Sequence, residues 1–341
     1  MTAIGSIAAA ALVTGCSFGA ASVPTTLART SAPGIAPTAG ITASVVPTAT
    51  TAPLPALPLA WEKSGPAQPT PCCQTWWPAI DPKTGNIWVA NSFGNEFWIF
   101  APDGSFKGAW GTAGAGNGQF DFSAHRSRPQ ATGAIAFAPD GTFFVADDGN
   151  QRVQEFDAKR AFVRAWGSFG SGDGQFANPF GIVTDGKTVY VADDDRGDIQ
   201  AFDTKGRFLR TVGTVIVNAG IFLAIDSSGT LYRAAGEDRP TSILKYAADG
   251  SVAATIDTAV PGGFVTGLAI GPNGTLFANI GHALAAGHQL VQLDATGRKV
   301  GLWSTGGETG VVDAGGTAIY LASNGDTSWP TASLRKYSLP N

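Results

Sequence analysis

The stretch "FVADDGNQRVQEFD" (Phe144 to Asp157) returns 46 residues later as "YVADDDRGDIQAFD" (Tyr190 to Asp203), without a gap and with seven of fourteen positions identical. A chain that repeats itself every forty to fifty residues reads as a propeller or a solenoid, because one such unit cannot bury its apolar face without neighbours. The small residue that ends each "VA" run serves as a ruler: Ala90, Ala146, Ala192, Ala234, Ala278 and Ala322, spaced by 56, 46, 42, 44 and 44. Every unit follows one script. An apolar strand ("GAIAFA", "GIVTD", "GLAIG") ends in a tight turn with Gly ("PDG", "SSG", "PNG"), and a second strand follows ("FFVAD", "VYVAD", "TLYRA", "TLFAN"). A polar loop leads to a third strand ending in an aromatic or Leu, and a second tight turn ("DTKG", "ADG", "ATG") leads to a fourth. Turn signals at this spacing between period-2 strands mark an all-β fold, and four antiparallel strands per repeat make a propeller blade. Forty-five glycines, with no collagen-like period, suit many short strands and tight turns.

Six rulers predict six blades, and the ring has a legible closure. The sixth unit ends at Tyr337 with "SLPN" and lacks a fourth strand, whereas "PLAWEKSG" (Pro58 to Gly65) matches "GAWGTAG" and "RAWGSFG". The N-terminal strand is therefore expected to complete the last blade and leave no open gap in the ring. Read residue by residue, "GQFANPFGIVTDGKTVYVADDDRGDIQAFDTKGRFLRTVG" (Gly174 to Gly213) resembles an NHL repeat, with its Gly-rich lead, Phe, Pro, "GIAVD", "VYVAD", "NxRIQVF" and "GxF". The resemblance spans Trp61 to Leu339, is strongest around Ala146 and Ala192, and weakens in the last three units. It implies an all-β six-bladed β-propeller over residues 57–341.

The front end has a different composition. Ala3 to Val13 is an apolar run of about eleven residues, half the length of a spanning helix, and it leads into "LVTGC" (Leu12 to Cys16). That stretch resembles the lipobox of bacterial lipoproteins, which implies a signal peptide over 1–16 and lipidation of Cys16; the start "MTAIGS" departs from the pattern in lacking Lys or Arg. Residues 17–56 are mostly Ala, Thr, Pro, Ser, Val and Gly with one charge, Arg29, a composition that cannot offset the entropy of ordering and reads as a disordered linker. The expected location is outside the cytoplasmic membrane, with the lipid as the only membrane contact.

The propeller script sorts the motifs. In each blade the loop between the second and third strands and the link to the next blade share one face, while the tight turns share the other, so function is expected on the loop-rich face. "RGD" (Arg196 to Asp198) aligns with Asn150, Gln151 and Arg152 and reads as a drifted repeat loop. "GTAGAGNGQF" and "GSFGSGDGQF" lead into strands rather than a helix, so they read as links anchored by Phe120 and Phe176 and not as phosphate cradles. Asp147 and Asp193, with Asn91 and Asn279 in two other blades, end the second strand. Short polar side chains there cap their own turn, or else form a ring of oxygen ligands for Ca²⁺. His125, His282 and His288 map to insertions on the loop-rich face. Three histidines can hold zinc with an open position, as in the NHL-propeller amidating lyases, although those place their ligands near the channel. Cys72 and Cys73 in "PCCQTWWP" are candidates for a vicinal disulfide, with free thiols or pairing to a partner's cysteine as the alternatives.

A net charge of −4 excludes a general nucleic-acid-binding surface. The leading expectation is a monomeric, non-catalytic propeller, with no cofactor required, binding a protein, peptide or glycan through Trp76, Trp77, Phe93, Phe122, Arg126, Arg128, Asp148, Arg152, Arg196 and Trp329. These are aromatic and charged residues of types that dominate binding hot spots. The alternative is a metal-dependent lyase or hydrolase of the amidating-lyase, streptogramin-lyase or gluconolactonase-like kind. Against it, the inner strands offer mainly Asp81, Asp185 and Asp226, near the tight-turn face, and no His.

Overall fold

The structure is a computed structural model of the 341-residue chain. It describes residues 54–64, 66, 75–122, 133–213, 222–235, 241–282, 288–305, 309–313, 315–323 and 333–340. The chain separates into a unit Met1–Thr51, outside the described residues, and a unit Ala52–Asn341, to which everything below belongs.

Six four-stranded antiparallel sheets form the blades. From innermost to outermost strand, blade one is Thr75–Ile80, Ile87–Asn91, Glu96–Phe100 and Phe106–Trp110, and blade two is Ala134–Phe137, Phe143–Asp147, Arg152–Phe156 and Phe162–Trp166. Blade three is Pro179–Thr184, Thr188–Asp193, Ile199–Asp203 and Phe208–Val212, and blade four is Leu223–Ile225, Leu231–Ala234, Ser242–Tyr246 and Val252–Asp257. Blade five is Gly263–Ile270, Leu276–His282, His288–Leu293 and Lys299–Thr305. Blade six takes three strands from the C-terminal end, Thr309–Val312, Ala318–Ser323 and Ser333–Ser338, and its outermost strand, Leu59–Ser64, from the N-terminal side. The innermost strands touch their neighbours all the way round, including blade six against blade one. The all-β six-bladed propeller and its N-terminal clasp are thus as the repeat predicts.

The clasp starts upstream of the strand. Leu59 pairs with Tyr337 and Ser64 with Ser333, and Leu57 is buried among Phe277, Leu290, Ile319 and Leu339. Pro55 accepts a hydrogen bond from the Ser304 N–H (3.1 Å), and Pro58 accepts one from Ser338 (2.9 Å). In blades three and four the same contact joins an outermost strand to the next blade's last turn, Gly213 N–H to Gly250 O at 2.8 Å. Residues 55–58 therefore stand where a continuous chain would place the last turn of blade six.

Both faces of every blade are buried against neighbours, which is why the second strands read as unbroken apolar runs. The seam between blades one and two is aromatic: Trp88, Phe97, Trp110, Phe120, Phe122, Phe143 and Phe156 meet at ring-centroid distances of 4.9 to 6.3 Å. Each such side chain stabilises by roughly 1.5–3 kcal/mol through burial alone. The seam between blades four and five is aliphatic, with Val265, Leu268, Leu276, Ile280 and Val291, matching the weaker repeat there. The last turn of each blade packs under the outermost strand of the blade before it. At Gly206 (φ +78°) a Cβ would stand 2.7 Å from the Trp166 ring, so that position needs glycine for both conformation and space. Blade two puts Arg160 at the equivalent place with φ 70°, its guanidinium 4.8 Å above the Trp88 ring.

Candidate functional site

Antiparallel connectivity sets the loop-rich face. The second strands of blades one and two end in single 3-10 turns, Ser92–Gly94 and Asp148–Asn150, closed by Asn95 and Gln151 in the left-handed conformation. The Gly-rich links fold back beside them. Thr112–Ala113 pairs in parallel with Gln119–Phe120, and Phe169 bridges Phe176 in the same way. Phe120 and Phe176 are fully buried, as their role as anchors requires.

Asp147 is the hub of the blade-two end. It is 0 % exposed and accepts from the Asp121 N–H (2.8 Å), Asn150 Nδ2 (3.0 Å), Arg152 Nε (2.7 Å) and Gln154 Nε2 (2.9 Å). Arg152 Nη2 reaches on to the carbonyls of Gly116 (2.8 Å) and Gln119 (3.0 Å), and Gln154 Oε1 receives the Gly118 N–H. The link from blade one is thereby stitched to blade two by side chains of the repeated sentence. Burial pushes the Asp147 carboxyl above its ordinary value, opposed by the Asp121 N–H, Arg152 and Asn150.

Blade three makes the same stitch with different residues. Gln200 holds Gly174 N–H and Gln175 O as Gln154 holds Gly118 and Gln119. The guanidinium, however, comes from Arg196, two alignment positions earlier. It donates to Gly172 O (2.9 Å) and Gln175 O (2.9 Å) and forms an ion pair with Asp198 at 2.7 Å. Asp198 stands where Arg152 stands in blade two. Asp193, relieved of an arginine, accepts the N–H groups of Ala177, Asn178 and Arg196; burial raises its carboxyl, opposed by those same N–H groups. The "RGD" is therefore an internal clamp, with Gly197 and Asp198 buried. In blade one the pair is Asn91 Nδ2 to Glu96 Oε1 at 3.0 Å.

Several expectations change. Phe122, expected to be exposed, is 0 % exposed and stacks on Phe120 at 5.2 Å, because the Gly-rich link turns it inward. Asp148 is 1 % exposed. Arg152 and Arg196 spend their donors on link carbonyls and carboxylates, so their guanidinium groups brace the face from within. Asp147 caps more than its own turn, since it also holds the incoming link; Asp193 does both. Trp76 lies in the innermost strand of blade one, paired with Ala90, and Trp77 in the bulge that follows; Phe93 lies in the 3-10 turn Ser92–Gly94. The side chains of these three, and that of His282, lie outside the described residues. His282 ends the second strand of blade five and half-buried His288 opens the third. Cys16, Cys72, Cys73, His125, Arg126, Arg128 and Trp329 lie outside the described residues. Among the described residues no three His, Cys, Asp or Glu side chains converge as metal ligands.

Sequence reasoning missed the relay of the guanidinium from Arg152 to Arg196. Its signal was present: the Arg of one copy moves two places in the other, and an Asp takes the vacated position.

No protein-family model matches the chain, and no curated protein is significantly similar to it in sequence. Solved structures share its fold. A gluconolactonase of Xanthomonas campestris superposes with a TM-score of 0.57 at 15% identity, over 85% of this chain and 99% of that one. Virginiamycin B lyase of Staphylococcus aureus gives 0.52 at 11% identity, over 82% and 99%. Hydrazine synthase of Kuenenia stuttgartiensis gives 0.51 at 17% identity, over 75% and 76%. At these identities the likeness is one of architecture: the chain is a six-bladed β-propeller.

Proposed function

We propose that this chain is a lipid-anchored propeller of the NHL-repeat type, displayed outside the cytoplasmic membrane, that binds a protein, peptide or glycan through its loop-rich face without catalysing a reaction. One observation carries the reading. The charged and amide side chains that the repeat places on this face, Asp147, Arg152, Gln154, Arg196, Asp198 and Gln200, are consumed in stitching the incoming links to blades two and three. That makes the face a stiff frame and leaves recognition to residues outside the repeated sentence. The largest departure from the repeat is the stretch between Phe122 and Gly133, which carries His125, Arg126 and Arg128. Arg is a residue type enriched in binding hot spots.

The test compares the two faces. The parent, an Arg126→Glu/Arg128→Glu variant and a Lys205→Glu variant on the tight-turn face are each used to capture ligands from an envelope fraction. Loss of the captured species with the double variant alone supports the reading; loss with Lys205→Glu alone overturns it. A metal-dependent lyase or hydrolase is the second reading, favoured by the gluconolactonase and the virginiamycin B lyase that share the fold. Stoichiometric zinc or calcium in the purified protein, with cleavage of a lactone that chelation abolishes, would put that reading first.

A further inference from the structure

The seam between blades three and four holds a cavity on the tight-turn side, away from the loop-rich face. It has a volume of about 110 Å³ and is lined by Tyr190, Arg210, Val212, Thr230, Tyr246 and Ala248, among others. Two departures from the repeat meet there. The outermost strands of blades one and two end in Trp110 and Trp166, which fill their seams, but blade three ends in Val212. A valine in place of an indole leaves unfilled space. In blade two, Glu155 lies across from Arg164 and the side chains pair at 2.7 Å. In blade three the same register sets Ala201 across from Arg210, so the arginine remains and its carboxylate is gone.

The hydrogen-bond inventory shows what is missing. Arg210 Nη2 donates to Ala248 O at 3.0 Å, but Arg210 Nε is buried without an acceptor among the described residues. Three carboxylates stand nearby, each bonded within its own turn, and the charge of Asp249 also acts on Arg210. Asp226 accepts from Ser228 N–H and Oγ and from Thr230 N–H, Asp249 from Ser251 N–H and Oγ, and Asp185 from Lys187 and Thr188 N–H. Among the described residues, Arg210 Nε thus lacks a direct acceptor, at a guanidinium whose counterpart in the neighbouring blade holds a carboxylate at 2.7 Å.

We propose that this cavity binds a small carboxylate, the ligand's oxygens taking the place that Glu155 fills beside Arg164. The volume of about 110 Å³ equals roughly four water molecules at ~30 Å³ each, which suits an acid of two or three carbons or the end of a peptide. Guanidinium favours carboxylate over monatomic anions through its planar fork of donors. This inference is independent of the loop-rich face and of any ligand bound there.

The experiment is calorimetric titration and thermal melting of the full chain with sodium propionate, against sodium chloride at matched ionic strength. A tripeptide acid and its C-terminal amide form a second arm. Saturable binding of propionate, absent with chloride, is expected. Arg210→Gln and Val212→Trp should each weaken it at least tenfold, the first by removing the donor and the second by filling the space. Val212→Phe serves if the tryptophan variant does not fold. Binding of the tripeptide acid but not propionate would assign the site to a chain terminus; binding of propionate alone assigns it to a free acid. No saturable binding of either, or binding that survives both Arg210→Gln and a filled cavity, overturns the proposal.

Discussion

Among single residues, Asp147 concentrates the most structure. Its carboxylate is sealed from water and serves an arginine, an asparagine, a glutamine and a backbone amide from the preceding link. Removing one partner of such a buried pair typically costs 3–5 kcal/mol, because the remaining donors lose their acceptor. Asp147→Ala should therefore lower the unfolding free energy, read from denaturant titration, by about 3–5 kcal/mol, and a loss under about 1 kcal/mol would show that the hub is dispensable. The carboxyls of Asp103, Asp203, Asp226, Asp249 and Asp294, in tight turns, shift the other way, below the ordinary value. The Asp294 carboxyl is lowered from 3.8 to about 2, first by the Thr296 hydroxyl and then, against a small burial effect, by the Arg298 N–H and side chain. A folded-state value below the unfolded one means stabilisation that is complete above pH 3.8 and fades as the pH falls towards 2. A carboxyl-detected NMR titration should place the Asp294 midpoint near 2, and a midpoint near 4 would remove those hydrogen bonds from the account. Asp294→Asn should make the loss of stability between pH 4 and 2 less steep.

At the scale of the strand, the clasp makes the sharpest prediction. Leu59–Ser64 supplies the outermost strand of blade six, sets Trp61 against Tyr320 at 5.8 Å and gives buried Arg335 its carboxylate partner Glu62 at 2.7 Å. A chain lacking residues 1–53 keeps all of this and should melt as the full chain does. One lacking residues 1–64 should melt earlier or aggregate through the uncovered edge of Ser333–Ser338. Equal melting of the two would dismiss the clasp. Strands and closure were legible in the sequence because turn glycines and alternating apolar residues are local signals, and because "AWEKSG" has no other blade to complete. The loop-rich face was less legible. An arginine between two strands reads as exposed unless its acceptors are known, and two of those of Arg152 are backbone carbonyls more than thirty residues away. Phe122 misled in the same way. Its neighbours in sequence are polar, and only the Gly-rich fold-back of the preceding link turns it onto Phe120 and Phe97.

For the molecule as a whole, the proposed anchor and the observed closure belong to the same side of the chain. If Cys16 carries the lipid, as we propose, Cys16→Ser should shift the protein from the membrane to the soluble fraction; an unchanged distribution would dismiss the anchor. The clasp has a further consequence, which concerns time. Glu62 and Arg335, the ion pair across the clasp, are 273 positions apart, so the first of the described strands to be made waits longest for its partner. Every other blade is complete as soon as its own stretch of chain exists. Blade six must wait for Ser333–Ser338 while Leu59–Ser64 is held unmatched, and contacts so distant in sequence close slowly. Without residues 333–338 the ring cannot shut, so closure reports that synthesis has passed all six blades.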